Sequence, residues 1–302
     1  MLFPGHGAEQ PRMGLELAAA YPRAAALLDH AGEVGGFDAR TLLRRGGDRL
    51  SDTRVLQPLM TAVLLGIVDA LAELGVRPDY ALGYSLGELA AWSALGGIAA
   101  EQAIELAGVR GRALGALALA HPGEMLALPT LAEAELDAAI EHGRTQGVVD
   151  RAIHAGPDRW VLSGDRAALN AIVERVGGSF VATSGAWHCR RMAPARGEFE
   201  AALRELEPAI RPTPTLITNV DGALLGERSI IPALVAQLDG RVEFATGVQT
   251  LARALPADAT LVLIGPPKPL RALIRANWPE PPRLVVAETP AEIAMLREVS
   301  RC

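Results

Sequence analysis

Short apolar runs alternate along the chain with segments whose apolar residues recur at helical spacing. "YALGYS" (80–85) reads as a strand and gives way to a helix from about Leu86. "TLVLIGP" (260–266) likewise precedes the helical "LRALIRANW" (270–278). Strands interleaved with helices in this way predict an α/β fold on a largely parallel sheet. From about Gly123 to Gly185 the rhythm changes. "EMLALP" reads as a strand, "LAEAELDAAIEHG" as a helix and "VVDRAIHAG" with "RWVLSG" as a strand pair; "RAALNAIVERVGG" reads as a helix and "SFVATSG" as a last strand. The order β-α-β-β-α-β is that of a ferredoxin-like unit. The pattern therefore predicts a small domain, residues 121–187, inserted in a large α/β domain formed by 1–120 and 188–302.

Composition narrows the chemistry. Half of the 302 residues are apolar but only 4% are aromatic, so the core must be built from Ala, Leu, Val and Ile. The 29 basic and 35 acidic side chains are mixed along the chain, which leaves no basic footprint for nucleic acid and no polybasic membrane patch. Cys189 and Cys302 have no metal-ligand spacing, so neither a metal site nor a disulfide framework is expected. The most apolar uncharged run, Val55 to Val68, contains Pro58 and is short of a membrane span, and "MLFPGHGAEQPRM" lacks the features of an export leader. These features predict a soluble, cytoplasmic protein whose partners are small molecules or other proteins.

The candidate chemistry centres on "GYSLG" (83–87). A nucleophilic serine must sit on a tight strand-to-helix turn with its Oγ exposed, and glycines two residues to either side relieve the crowding of that turn. Ser85 has this setting, although a glycine-flanked turn or an N-cap serine fits the same five residues. Glu88 in the first turn of the helix is expected as a solvated or capping carboxylate. Of six histidines, His188 in "ATSGAWHCRRMAP" follows a predicted strand at a loop, where a base can reach a cleft. His30, His121, His142 and His154 lie at helix ends or in the small domain.

Eight stretches taken together carry a resemblance: "FPGHGAEQPRMG" at 3–14, "DTRVLQPLM" at 52–60, "GYSLGELAA" at 83–91, "VRGRAL" at 109–114, "VLSGD" at 161–165, "GAWHC" at 185–189, "VEFATGV" at 242–248 and "IGPPKPL" at 264–270. In this order they resemble the malonyl-CoA:acyl-carrier-protein transacylases and the acyltransferase domains of polyketide synthases. The resemblance implies an α/β-hydrolase-like large domain with a ferredoxin-like small one, and a Ser85–His188 dyad whose imidazole is held by backbone carbonyls in place of a triad acid. It implies that Arg110 grips the free carboxylate of a malonyl-type acyl group, since a guanidinium offers a carboxylate two parallel donors. Gln57 would be a polar wall residue or a buried glutamine serving the loop after Leu56. The backbone N–H groups of His6 and Leu86 would form the oxyanion hole.

By the same resemblance the donor is malonyl-CoA or a related acyl-CoA, the acceptor is an acyl carrier protein, the chain is a monomer, and no cofactor is needed beyond the CoA thioester. Two other functions keep the same landmarks: hydrolysis of acyl groups from carrier proteins as proofreading, and a non-catalytic carrier-docking module. The chain departs from the family at His6, where Gln is usual, at Tyr84 in place of His, and at Gly185 and Trp187, which match neither H-A-F-H nor Y-A-S-H. Ala155 and Leu263 also depart, and Met1 to Phe3 leave a short first strand. A wide ring at Trp187 is expected to crowd the acyl α-carbon, with Gly185 returning some of the space.

Overall fold

The structure, a computed structural model, describes residues 1–299. Nine strands among these residues form two sheets. The larger sheet contains β1 (Leu2–Phe3), β2 (Ala81–Gly83), β7 (Leu216–Ile217), β8 (Thr260–Ile264) and β9 (Arg283–Ala287), in the order β7-β2-β1-β8-β9 with every pairing parallel. The short apolar runs of the sequence become these strands because helices cover the sheet, so β1, β2, β7 and β8 are shielded from water on both faces, while the edge strand β9 is only partly covered.

The longest apolar run becomes part of an unbroken helix, Thr53–Glu73. Asp52 caps it by accepting from the N–H of Arg54 at 3.0 Å, and Pro58 is carried inside it. This helix is long and apolar enough to cross a membrane, which the 14-residue run had not suggested, but most of that stretch is buried in the protein. It packs against the helices Pro22–Gly35 and Ala100–Ala120. Gln57 therefore lies within a helix, and the loop expected after Leu56 does not exist.

The smaller sheet contains β3 (Glu124–Ala127), β4 (Val149–Gly156), β5 (Arg159–Gly164) and β6 (Ser179–Phe180), in the order β4-β5-β3-β6 and antiparallel throughout. Helices Glu133–Arg144 and Arg166–Val176 complete the ferredoxin-like order. The last predicted strand is cut to two residues: Val181 N–H still bonds to Met125 O at 2.9 Å, but the chain then leaves the sheet for the mouth of a cavity. One seam of hydrogen bonds ties the small sheet to the layer built around the larger one. His154 N–H donates to Val242 O and Val242 N–H to Ala152 O, both at 2.9 Å, and Asn277 Nδ2 donates to Ala155 O at 2.7 Å. That seam sets the small sheet over the C-terminal end of β2, where the serine turn stands.

Candidate active site

The turn after β2 explains its own glycines. A Cβ on Gly83 would lie 2.2 Å from the N–H nitrogen of Glu88, and one on Gly87 would lie 2.4 Å from Phe3 O, so only glycine lets the strand, the turn and the helix Gly87–Ala94 approach this closely. Between them Ser85 adopts φ +52°, a left-handed conformation that costs a non-glycine residue of order 1–3 kcal/mol unless its surroundings hold it. Asn219 does so. Its Oδ1 accepts from Ser85 N–H at 2.7 Å while its Nδ2 donates to Gly83 O at 2.8 Å.

His188 also has a left-handed backbone, φ +59°, in the turn that follows Trp187. Its Nδ1–H donates to the backbone carbonyl of Gln237 at 2.8 Å. A carbonyl can only accept, so the proton is fixed on Nδ1 and Nε2 is left to accept from the Ser85 hydroxyl at 2.7 Å. Burial first, then the nearby Arg110 charge, pull the imidazole down to about 3, and the ring is neutral at physiological pH.

Arg110, on the helix Ala100–Ala120, is buried with its fork aimed at the same point. It donates to Gln57 Oε1 and to Gln237 Oε1, each at 2.8 Å, and one of its nitrogens lies 3.5 Å from Ser85 Oγ. Gln57 is oriented in turn by donating to Thr53 Oγ1 at 2.7 Å. Burial pulls the guanidinium down to about 10, with the Glu88 charge opposing, so it remains a cation at neutral pH. Glu88 itself corrects an expectation. It is neither solvated nor an end-of-helix cap but fully buried, with Oε1 accepting from Asn219 N–H at 2.9 Å and Oε2 from Gln237 Nε2.

The loop carrying His6 abuts the serine turn: a Cβ on Gly5 would fall 2.2 Å from Tyr84 O and 3.5 Å from the nitrogen of Leu86. Among the described residues, neither the N–H of His6 nor that of Leu86 donates a hydrogen bond within the protein. The His6 ring lies 5.8 Å from that of Trp187, and His6 Nε2 and Trp187 Nε1 are buried without partners. Burial, Arg110 and His188 together bring the His6 ring down to about 3.

Ser85, His188, His6 and Trp187 line one cavity of about 180 Å³, roofed by Met125, Ile153 and Val161 from the small sheet. The Trp187 indole sits where a side chain at 185 would stand, since a Cβ on Gly185 would lie 2.6 Å from the ring. Gly185 is thus the seat of Trp187 and returns little space to the cavity. Cys189 is fully buried with its thiol donating to Ala186 O at 3.2 Å, and burial pushes that thiol up. Cys302 lies outside the described residues. Among those described, no group of three or more His, Cys, Asp or Glu side chains could hold a metal ion.

Sequence reasoning missed Asn219 and Gln237. Each sits more than 130 residues from the serine it orients, and neither carries a local pattern that marks it.

Comparison with known proteins agrees with this fold. Residues 1–255 match the model of the acyl transferase domain family. A polyketide synthase of Streptomyces halstedii, GfsA, is 32% identical over 267 residues, which is 83% of this chain but 4% of that much longer protein. The malonyl CoA-acyl carrier protein transacylase of Haemophilus influenzae is 28% identical over 287 residues, covering 91% of this chain and 90% of its own. A malonyl-transacylase solved in complex with its type II polyketide acyl-carrier protein superposes with a TM-score of 0.86 at 26% identity, over 99% of this chain and 98% of the other. A serine elbow, a facing histidine and a buried arginine on this two-sheet frame, together with a family match over most of the sequence, make the chain a member of the acyl transferase domain family.

Proposed function

We propose that this chain moves a malonyl or related dicarboxylic acyl group from CoA to the phosphopantetheine thiol of an acyl carrier protein, by way of an ester on Ser85. The observation that carries this reading is the convergence on one hydroxyl: His188 Nε2 at 2.7 Å and an Arg110 nitrogen at 3.5 Å from Ser85 Oγ. The carrier-bound relative supports the acceptor, and the Haemophilus transacylase supports the acyl group.

In this reading His188 Nε2 takes the hydroxyl proton as Ser85 Oγ bonds to the thioester carbon. The carbonyl π pair moves onto oxygen, which rests on the N–H groups of His6 and Leu86; a donor of this kind is worth about 2.7–4 kcal/mol in the barrier. Collapse breaks the C–S bond, and the thiolate leaves with the proton from His188. The carrier's thiol then gives its proton to His188, attacks the ester and releases Ser85 with the proton returned.

Arg110 has two effects. Its fork pairs with the acyl carboxylate, which an acetyl group lacks. Its charge also depresses His188, so a bound carboxylate that offsets this charge makes the imidazolium of the transition state easier to form. A dicarboxylic substrate thereby strengthens the base that acts on it.

Hydrolysis with the same pair of residues is the reading from which transfer must be separated. Malonyl-CoA is mixed with enzyme and a phosphopantetheinylated type II acyl carrier protein, and malonyl-carrier is measured against free malonate. Transfer yields malonyl-carrier in excess, whereas malonate as the main product would overturn it.

A further inference from the structure

Glu88 is a buried titratable group that the mechanism above does not use. Glu88 is fully buried on the helix that follows the nucleophile, and both of its oxygens face donors. Asn219 N–H meets Oε1 at 2.9 Å, and a backbone amide can only donate. Gln237 Nε2 meets Oε2, and its orientation is fixed independently. The same Nε2 donates to the carbonyl of Ser85 at 2.9 Å, and the Gln237 Oε1 accepts from Arg110 at 2.8 Å. A carbonyl cannot donate and a guanidinium cannot accept, so the Gln237 amide has one possible orientation.

We infer that Glu88 is a positioning residue that acts in its ionised form: by accepting from Asn219 and Gln237 together it locks the elbow to the segment that aims both Arg110 and His188. A proton on either oxygen removes the charge and weakens that oxygen as an acceptor, and a glutamine at 88 sets a donor against a donor at one end. Gln237 then loses the anchor through which its Oε1 holds Arg110, while its backbone carbonyl carries His188 Nδ1. Asn219 loses one of the bonds that keep Ser85 in its strained turn. Glu88 is also the standing counter-charge to Arg110 before a substrate carboxylate arrives. The inference rests on Ser85 acylation as the reaction affected.

The charged and titratable groups around Glu88 come from three elements. Arg110 faces it from the helix Ala100–Ala120, and Asp221 from the turn after β7, where Asp221 pairs with Arg228. His188 lies beyond Gln237. Burial outweighs the hydrogen bonds and Arg110, with Asp221 adding to burial, and Glu88 is pushed up to about 7. His188, at about 3, stays neutral through this range. As pH falls through about 7 Glu88 takes up a proton and the lock opens, so the acid limb of acylation belongs to Glu88.

The experiment is single-turnover acylation by malonyl-CoA from about pH 5 to 8 for wild type, Glu88→Gln and Asp221→Asn, with thermal melts as a fold control. Wild type is expected to lose about tenfold in rate per pH unit below the limb. Glu88→Gln should be slower by on the order of 10–100-fold at the plateau and lack that limb. Asp221→Asn keeps the plateau and moves the limb to lower pH. Infrared difference spectra between the pH extremes supply a readout that needs no activity: a protonated-carboxyl stretch that appears on acidification, moves to lower pH in Asp221→Asn and is absent from Glu88→Gln. An acid limb unchanged in both variants, or no such band, would overturn the inference. A wild-type enzyme that is not acylated at any pH defeats the proposed function instead, and the infrared arm still decides the role of Glu88.

Discussion

The cavity has two unlike walls. The wall from the parallel-sheet layer presents Ser85 and His188, and it is backed by a saturated polar network in which Ser85, Gln57, Arg110, Gln237, Asn219 and Glu88 hold one another through hydrogen bonds. The wall from the small sheet is apolar, made of Met125, Ile153 and Val161, and next to it stand the unpartnered ring nitrogens of His6 and Trp187. Every polar group of the first wall has its orientation set before a ligand enters, and this is what electrostatic preorganisation requires. The second wall leaves room, with two unpartnered ring nitrogens beside it, where the acyl chain and thioester of the proposed substrate would lie. In the proposed reaction the polar side therefore supplies the reacting groups and the carboxylate partner, and the apolar side shapes the space around the acyl chain.

The contrast is broken most severely from the polar side. Arg110→Ala removes the carboxylate partner and leaves Gln57 Oε1 and Gln237 Oε1 buried without donors. Acylation by malonyl-CoA is expected to fall by about 10²–10³-fold relative to wild type, with a much smaller loss for acetyl-CoA, so selectivity collapses. Equal losses for both acyl groups would mean that Arg110 serves structure alone.

From the apolar side the expected effect is smaller. In Gly185→Ala the new methyl meets the Trp187 ring at 2.6 Å and Ala118 Cβ at 2.9 Å, and the indole must swing toward the cavity. Overpacking of this kind costs roughly 1–3 kcal/mol, to be read by thermal melting. A panel of linear and α-branched dicarboxylic acyl-CoAs should show the branched ones losing more. A panel response identical to wild type would place Trp187 outside the acyl-binding surface.

The sequence carried what is local. The glycines around Ser85 announced the strained turn because their spacing is local, although only Gly83 relieves crowding within the turn and Gly87 makes room for the backbone of Phe3 and Pro4; the small sheet was readable because each of its elements keeps its own period. His188 came from its setting at a loop and from the family likeness, and Arg110 from the likeness alone. What stayed hidden is what tertiary contact creates. Asn219 and Gln237 are ordinary polar residues until the fold brings them beneath the elbow, and Glu88 looked like a first-turn carboxylate because nothing nearby in sequence reveals its burial. Gln57 was read as a polar wall residue or as a glutamine serving a loop after Leu56, yet the helix runs on through Pro58, which forfeits one intrahelical bond that packing on both sides of this buried helix outweighs. The strand after Ser179 ended early because its remaining residues line the cavity mouth instead of pairing.

The central claim is that the hydroxyl at 85 takes up the acyl group, and intact-protein mass spectrometry after brief exposure to malonyl-CoA tests it most directly. The expected result is a single malonyl adduct on wild type, mapped by peptide analysis to Ser85 and absent from Ser85→Ala. An unmodified wild-type chain, or an adduct that persists in Ser85→Ala, would contradict the account.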